Sequence, residues 1–370
     1  MKILFPVEVF YPSQAGGPAN TVYWLAKNLK EQGFEPTIVA SNKGINSNTP
    51  LNRWQESSAG SLIFVKTAFL HAPLGQTLTS FRSVFKADVV HLSSFFYPAA
   101  FLSALAARVM RKKIALSPRG ELDVYSLNYS GRRKRPILWL MKKAIGGHAV
   151  FHSTSDEETG HIRRIFGPDV KVFQIPNYIE IEPEAPRTPG KYLLYMGRIH
   201  PKKAIDNFIK AAASSNAFIN SDLVLRIAGL GRPEHSEELS RLVADLNMSE
   251  KVEFLGQVEG AAKSQLYADA YFTFMPSHSE NFGIVVLESL AQSTPVAASI
   301  HTPWAALEKE KIGFWSDNSP EALAATIDLI LGMSTSEYEE YRDRCRPYVL
   351  REFDIRNHMD EWIEMYESFR

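Results

Sequence analysis

Along this chain short apolar runs alternate with longer stretches in which apolar residues recur every three or four positions. Lys2–Phe10 is such a run, with Pro6 inside it, and predicts a buried strand. A loop rich in Pro and Gly follows (Pro12–Pro18). Asn20–Gln32 then places Val22, Leu25, Ala26 and Leu29 on one helical face, closed by Gly33. Glu35–Ser41 is the next strand. A β-loop-α-turn-β opening begins a parallel, doubly wound α/β sheet. Ser61–Thr67, Ala87–Ser93, Lys113–Ser117 and His148–Thr154 read as further strands, with helical stretches between several of them.

The pattern is interrupted at Ile181–Lys191, which holds three prolines and one glycine and reads as a linker. It then restarts. Strands are predicted at Tyr192–Gly197, Asp222–Ala228, Val252–Leu255, Ala270–Met275 and Pro295–Ser299. Helices are predicted at Ala204–Ala213, Glu237–Leu246, Ala261–Ala268 and Gly283–Gln292, and terminal helices over Ser334–Arg370. Two α/β halves predict ligand binding beyond the carboxyl ends of the strands. Length agrees, since 370 residues exceed what one core usually organises. No short-period repeat or low-complexity tract is present.

Composition narrows the class. A single cysteine, Cys345, excludes a disulfide framework and a cysteine-based zinc site and suits a reducing compartment. No apolar run is long enough to span a bilayer. The opening MKILFPVEVFYP reads as a strand and not as a leader. The formal charge is zero, from 41 basic and 41 acidic residues, but it is unevenly spread. Residues 1–190 carry 23 basic and 14 acidic side chains, and residues 108–143 carry 11 basic and 2 acidic ones. Such an excess points either to an anionic partner or to a solvated basic surface.

Two segments carry candidate chemistry. In Met275–Val296 a strand runs through a polar turn into an apolar helix. Glu280 stands before the helix and Glu288 within it, roughly 80° out of register at about 100° per residue. Two acceptors flanking a helix N-terminus, itself an anion site, suit a ligand with hydroxyls on either side of a phosphate. A capping glutamate plus an unrelated surface glutamate is the plainer alternative. In Gly197–Ala204 (GRIHPKKA), Gly197 permits a sharp turn. Arg198 and Lys203 could converge there on a diphosphate, or belong to a solvated basic loop. In the first half, Arg119, Glu121 and His91 follow strands. Arg119 is a candidate acceptor or phosphate contact, or a partner of Glu121 in a structural ion pair. His91 is a candidate base or a satisfied buried histidine.

GRIHPKK (Gly197–Lys203), AGLG (Ala228–Gly231), FLGQV (Phe254–Val258) and SHSENFGIVVLE (Ser277–Glu288) stand in an order and spacing that resembles the retaining family 4 glycosyltransferases. The Gly16-Gly17 loop, DVVHLSS (Asp88–Ser94) and SPRGELD (Ser117–Asp123) are similar to that family too, the last to its bacterial surface-polysaccharide members. The resemblance implies the GT-B fold: two Rossmann-like domains facing across a cleft, with a C-terminal helix crossing back to the first. The implied domains are 1–183 for the acceptor, 184–191 as linker, 192–350 for the nucleotide sugar and 351–370 as the returning helix. Arg198 and Lys203 would bind the donor diphosphate. Glu280, with the backbone of Asn281, Phe282 and Gly283, would hold the donor sugar and distal phosphate. Glu288 would accept from the ribose, Gly256 to Val258 would lie along the base, and Gly17 would approach the sugar phosphate. His91, Arg119 and Glu121 would face the acceptor.

The sequence departs from the family at Asn281 and Ala204, where glycine is frequent, and at Ser293. The implied reaction moves a hexose-type sugar from a nucleotide diphosphate sugar to a lipid-linked or oligosaccharide acceptor in lipopolysaccharide or exopolysaccharide synthesis. It needs no metal and no cofactor, because Glu121-Leu122-Asp123 is a chance match to a metal-binding Asp-x-Asp. A same-fold binder or epimerase without transfer activity is the alternative reading. An oxidoreductase would need Gly-x-Gly-x-x-Gly after the first strand, which is missing. No aromatic platform for nucleic acid is evident. Arg132–Lys143 brackets five apolar residues with six basic ones. It fits either a helix on an anionic inner leaflet of a cytoplasmic, peripheral enzyme or a core-facing helix with exposed lysines.

Overall fold

The computed structural model describes residues 1–13, 17–46, 48–69, 72–123, 126–127 and 131–369, without side chains for 131–133. Gly16 and the side chains of Arg132 and Arg133, named above, lie outside the described residues. The chain divides into two compact units, Met1–Glu180 with Ile355–Arg370, and Ile181–Asp354.

In the first unit the order is β1 (Lys2–Val7), α1 (Gly17–Glu31), β2 (Glu35–Ser41), β3 (Gln55–Ser57), β4 (Gly60–Val65), α2 (Leu74–Val84), β5 (Val89–Leu92), α3 (Pro98–Val109), β6 (Lys113–Leu116), α4 (Gly131–Ile145), β7 (Ala149–Ser153), α5 (Asp156–Phe166) and β8 (Val172–Gln174). The eight strands lie in the order β3-β4-β2-β1-β5-β6-β7-β8. All pairings are parallel except the β3–β4 hairpin. Helices cover both faces of such a sheet, so its central strands are mostly apolar and buried and do not alternate, while the outer strands β3 and β8 are partly polar. Pro6 is tolerated in the central strand because the β5 ladder reaches only to Leu4, leaving Pro6 paired with β2 alone. Right-handed crossovers put α2, α3 and α4 on one face, with α3 packed between the other two.

The second unit runs β9 (Tyr192–Met196), α6 (Ile205–Ser214), α7 (Asn216–Ile219), β10 (Val224–Ala228), α8 (Pro233–Asp245), β11 (Val252–Gly256), α9 (Gly260–Asp269), β12 (Phe272–Met275), α10 (Ile284–Ala291), β13 (Val296–Ser299), α11 (Ala306–Lys309), β14 (Gly313–Ser316), α12 (Pro320–Leu331) and α13 (Thr335–Glu352). Its six strands are all parallel, in the order β11-β10-β9-β12-β13-β14. The last helix, α14 (Met359–Glu367), packs within the first unit through buried Trp362, Met365 and Tyr366.

The proline-rich stretch is stitched to the second unit and does not hang free. Ala185 N–H donates to Gln292 Oε1 at 2.7 Å, Thr188 N–H to Asp269 Oδ1 at 2.6 Å, and Arg346 to the Glu182 carbonyl at 3.1 Å. Strands β3, β8 and β14 were not expected from the sequence. In β14 the reason is Gly313, which reads as a turn residue. A Cβ there would lie 1.9 Å from the Val296 carbonyl oxygen, so the glycine marks a close strand approach.

Ser293, after α10, holds φ +55°. The left-handed conformation costs an ordinary residue about 1–2 kcal/mol, and glycine forfeits about 0.5–1 kcal/mol of that through its looser unfolded chain. Ser293→Gly should therefore raise the unfolding free energy by about 0.5–1 kcal/mol in a urea titration.

Candidate functional site

In the second sheet the chain order reverses between β9 and β12. At such a switch point a crevice opens beyond the strand ends, and both motif-bearing turns lie there. Gly197 leaves β9 at φ +150° and Gly229 leaves β10 at φ +146°. The two turns touch backbone to backbone: a Cβ on Gly229 would sit 1.7 Å from the Gly197 carbonyl oxygen. Gly197 N–H donates to the Ala228 carbonyl at 3.0 Å and Ile199 N–H to that of Leu230 at 2.8 Å. The Tyr195 hydroxyl donates to the Arg198 carbonyl at 2.9 Å, which pins the Arg198 backbone. The Arg198 side chain is exposed and has no hydrogen bond or ion pair among the described residues.

His200 caps a single 3-10 turn, Pro201–Lys203, accepting from Lys202 N–H at 3.1 Å. Ala204 follows at φ +48°, which explains why glycine is frequent at that place. Burial holds the His200 imidazole below its ordinary pKa, and so do the charges of Arg198, His235, Lys203 and Arg232. The ends of β9 and β10 thus form a cationic region that favours an anion.

Lys203 reaches across to the turn after β12 and forms an ion pair with Glu280. Ser277 donates to the same carboxylate oxygen at 2.8 Å, and His278 N–H donates to the Lys202 carbonyl at 2.9 Å. Burial alone would raise the Glu280 pKa. The Lys203 charge and hydrogen bond, helped by Ser277 and Lys202, outweigh it and hold the carboxyl below its ordinary range. Glu280 is therefore ionised at neutral pH, and its Oε2 carries no hydrogen bond among the described residues.

Gly283, at φ +85°, turns the chain into α10. The Phe282 ring packs edge-on against Trp304, with centroids 5.2 Å apart, and the Trp304 indole N–H donates to the Phe282 carbonyl. The Phe282 side chain is thus structural, and the first N–H groups of α10 remain for a ligand. The second glutamate is held apart from the first. Lys263 Nζ lies 2.6 Å from Glu288 Oε1, and the Tyr267 hydroxyl donates to Oε2 at 3.0 Å. These two residues, one turn apart on α9, were missed in the sequence, where Lys-x-x-x-Tyr after FLGQV was the only signal. Gly256 ends β11 at φ +67° and its carbonyl accepts from Gly229 N–H at 2.7 Å. Val258 is half-buried against the cluster that includes Tyr267 and Met196.

In the first unit the structure separates the candidates. Gly17 opens α1 and is exposed. His91 is fully buried. Its ring nitrogens meet the Tyr366 hydroxyl at 2.6 Å and the Ser117 hydroxyl at 2.8 Å, and Ser117 lies 2.8 Å from His152. It therefore matches the satisfied histidine and not the base. The Arg119–Glu121 ion pair does not form. Glu121 instead accepts from the Ser94 hydroxyl at 2.9 Å and from the N–H groups of Phe95 and Phe96 ahead of α3, and burial raises its pKa against those bonds. Arg119 donates to Asn177 Oδ1 at 3.1 Å, while its Nε is buried without a hydrogen-bond partner. Burial lowers its pKa to about 10, against the raising influence of Glu158 and Tyr366.

On α4, Met141 and Ile145 are buried and Ile137 and Leu138 pack against the core. Trp139 and Leu140 are exposed, the former 63%. The helix thus divides its apolar residues between core and surface. No helix among the described residues is long and apolar enough to cross a membrane.

A family model described as "Glycosyl transferases group 1" matches residues 179–350, and one described as "Glycosyl transferase 4-like domain" matches residues 16–178. A D-inositol 3-phosphate glycosyltransferase of Frankia alni is 30% identical over 180 residues, 43% of this chain and 44% of that protein. The O-antigen chain mannosyltransferase RfbU of Salmonella typhimurium is 37% identical over 108 residues, 29% of each. These alignments span less than half the length of either relative. Among solved structures, Anabaena Alr3699/HepE in complex with UDP-glucose superposes with a TM-score of 0.79 at 17% identity over the whole of both chains. WaaG, a glycosyltransferase involved in lipopolysaccharide biosynthesis, gives 0.64 at 16% identity over 94% of this chain and 95% of that one. At those identities the likeness shows the fold, two Rossmann-like α/β units of the GT-B kind.

The buried histidines make a pH test. Burial drives the His91 pKa well below its ordinary value and that of His152 to about 3, with Arg119 adding to both. Both are neutral when folded and titrate near 6.5 when unfolded. Their contribution is complete above about pH 6.5 and is lost as pH falls towards 3. Each should withdraw about 2 kcal/mol between pH 7 and pH 5, seen as a lower urea midpoint. His152→Gln should flatten part of that dependence.

Proposed function

The chain belongs to the glycosyl transferases group 1 family, its 4-like domain included, and from that membership we propose that it is a retaining hexosyltransferase. The donor is a nucleotide diphosphate sugar. The acceptor is a lipid-linked saccharide or oligosaccharide of lipopolysaccharide or exopolysaccharide synthesis, and the enzyme works at the cytoplasmic face of the membrane. The observation that carries this reading is an unpartnered Arg198 beside a Lys203–Glu280 pair at the switch point of the second sheet. O-antigen synthesis in the name of RfbU and lipopolysaccharide biosynthesis in that of WaaG support the class of acceptor. UDP-glucose in the HepE complex makes UDP-sugars the first donors to test.

Breaking the bond from the anomeric carbon to the diphosphate sends an electron pair to phosphate oxygen. Arg198, Lys203 and the N-terminal amides of α10, including Gly283, meet that charge, the task a metal ion performs elsewhere. Glu280 takes a sugar hydroxyl on its open oxygen, with the backbone at Asn281 and Phe282 alongside. Because it is already bound by Lys203 and Ser277, it serves as a hydrogen-bond acceptor and not as a nucleophile. The acceptor hydroxyl oxygen bonds to the anomeric carbon on the face the phosphate leaves. Its proton passes to the departing phosphate oxygen, so configuration is retained. Glu288, braced by Lys263 and Tyr267, accepts from the ribose, and the base lies along Gly256 to Val258. Arg119 and Glu121 are the acceptor-side residues of the first unit, and α4 is the part that meets an anionic membrane surface.

Arg198→Ala and Lys203→Ala should each lower kcat about 10²-fold or more; near-normal turnover in both would overturn the assignment. Turnover should survive EDTA, and loss that a divalent ion restores would refute the metal-free reading. The product anomer, read by NMR, should match that of the donor. Nucleoside diphosphate released without a transferred sugar would favour a binder or another activity of the same fold.

A further inference from the structure

A second feature of the first unit is untouched by the transfer chemistry. Between α2 and α3 lies an open groove of 490 Å³, lined by Leu74, Leu78, Phe81, Leu102, Leu105 and Val109 among others. Its walls are apolar yet face water: Leu74 is 79% and Val109 83% exposed. Scattered exposed leucines need no explanation, but a contiguous apolar trough on neighbouring helices does.

The charged side chains on the two helices that line it are all basic. Arg82 and Lys86 stand at and just beyond the end of α2, and Arg108 and Arg111 at the end of α3, all exposed. The Lys112 ammonium donates to the Phe85 carbonyl at 3.1 Å, which ties the two helix ends together. Neither α2, α3 nor α4 contains an aspartate or glutamate. Asp88, the one acid between α2 and β6, accepts from Lys2 N–H at 2.7 Å. Basic residues do suit helix C-termini, but that accounts for neither the missing acids nor the apolar trough. A second copy of the chain would bring the same positive face and be repelled. An acidic protein would leave the trough's hydrocarbon unmatched.

From this juxtaposition we propose that the α2–α3 groove is a lipid site, taking a hydrocarbon chain of an anionic bilayer lipid while Arg82, Lys86, Arg108 and Arg111 hold the headgroup phosphates. A bilayer supplies both chemistries at once, and each basic residue near such a surface contributes about 1 kcal/mol. The site goes beyond the role given to α4 and is separable from it.

Flotation with phosphatidylcholine vesicles, with and without phosphatidylglycerol, tests it, with circular dichroism confirming that each variant is folded. The wild type should float only with phosphatidylglycerol. Leu78→Glu/Val109→Glu and Arg108→Glu/Arg111→Glu should each weaken binding about tenfold or more. Sodium phosphate at matched ionic strength should not displace the protein, since a free anion cannot fill the trough; displacement would reduce the site to a phosphate patch and overturn the lipid. If Leu78→Glu/Val109→Glu binds as the wild type does while Trp139→Glu/Leu140→Glu does not, the groove is refuted and the α4 role stands. The reverse result supports the groove and removes α4. A wild type that never floats overturns both. Arg198→Ala should float normally, so a failure of the transfer chemistry leaves this result intact.

Discussion

The site of the second unit depends on one ion pair. Lys203 and Glu280 follow strands on opposite sides of the point where chain order reverses, and their contact, with the His278 N–H bond to the Lys202 carbonyl, joins the two turns. A half-buried carboxylate in that position must be paired. Removing one partner of such a pair typically costs about 3–5 kcal/mol, because the other is left stranded. The pair also determines chemical character. With Lys203 in place Glu280 remains an acceptor; without it, burial would push the carboxyl towards its neutral, donating form.

The same logic runs through the other charged groups. Glu288 is held by an ammonium and a hydroxyl from one turn of α9. Glu158, also buried, accepts from Gly120 N–H at 2.7 Å and from Thr154 N–H at 2.8 Å. Arg198 differs in being exposed without a hydrogen bond or ion pair among the described residues, and the Arg119 Nε is one of several buried polar atoms without a partner, with Ser80, Ser93, Arg187 and His235 among the others. Arg119 also holds φ +51°, a conformation that needs support from its surroundings.

The fold was legible because parallel strands covered on both faces leave near-continuous apolar runs, as in β1 and β9, and in β2 and β10 with a polar residue or two among them. Ala204, noted as a place where glycine is frequent, holds positive φ, and so does Ser293, noted as another departure from the family; backbone geometry was partly legible too. Side-chain pairing was not. That Glu121 would turn to the N–H groups ahead of α3 instead of to Arg119, two positions away, depends on how β5 and β6 are aligned. That Lys263 and Tyr267 would brace Glu288 depends on α9 lying beside α10. Neither is a property of any local window. Short strands such as β8 and β14 escaped for a related reason, since pairing defines them more than their own composition does.

The contact between Gly197 and Gly229 bears on how such a molecule can diversify. At Gly229 main chain presses on main chain, so that position tolerates no side chain, whereas Gly197 is set apart by its φ of +150°. Gly256 and Gly260 are different: a Cβ at either would meet nothing within 4 Å, yet their φ of +67° and +57° would strain any other residue. A substitution at Gly229 would therefore displace the neighbouring turn, whereas one at Gly256 or Gly260 would cost local backbone strain and leave its surroundings in place.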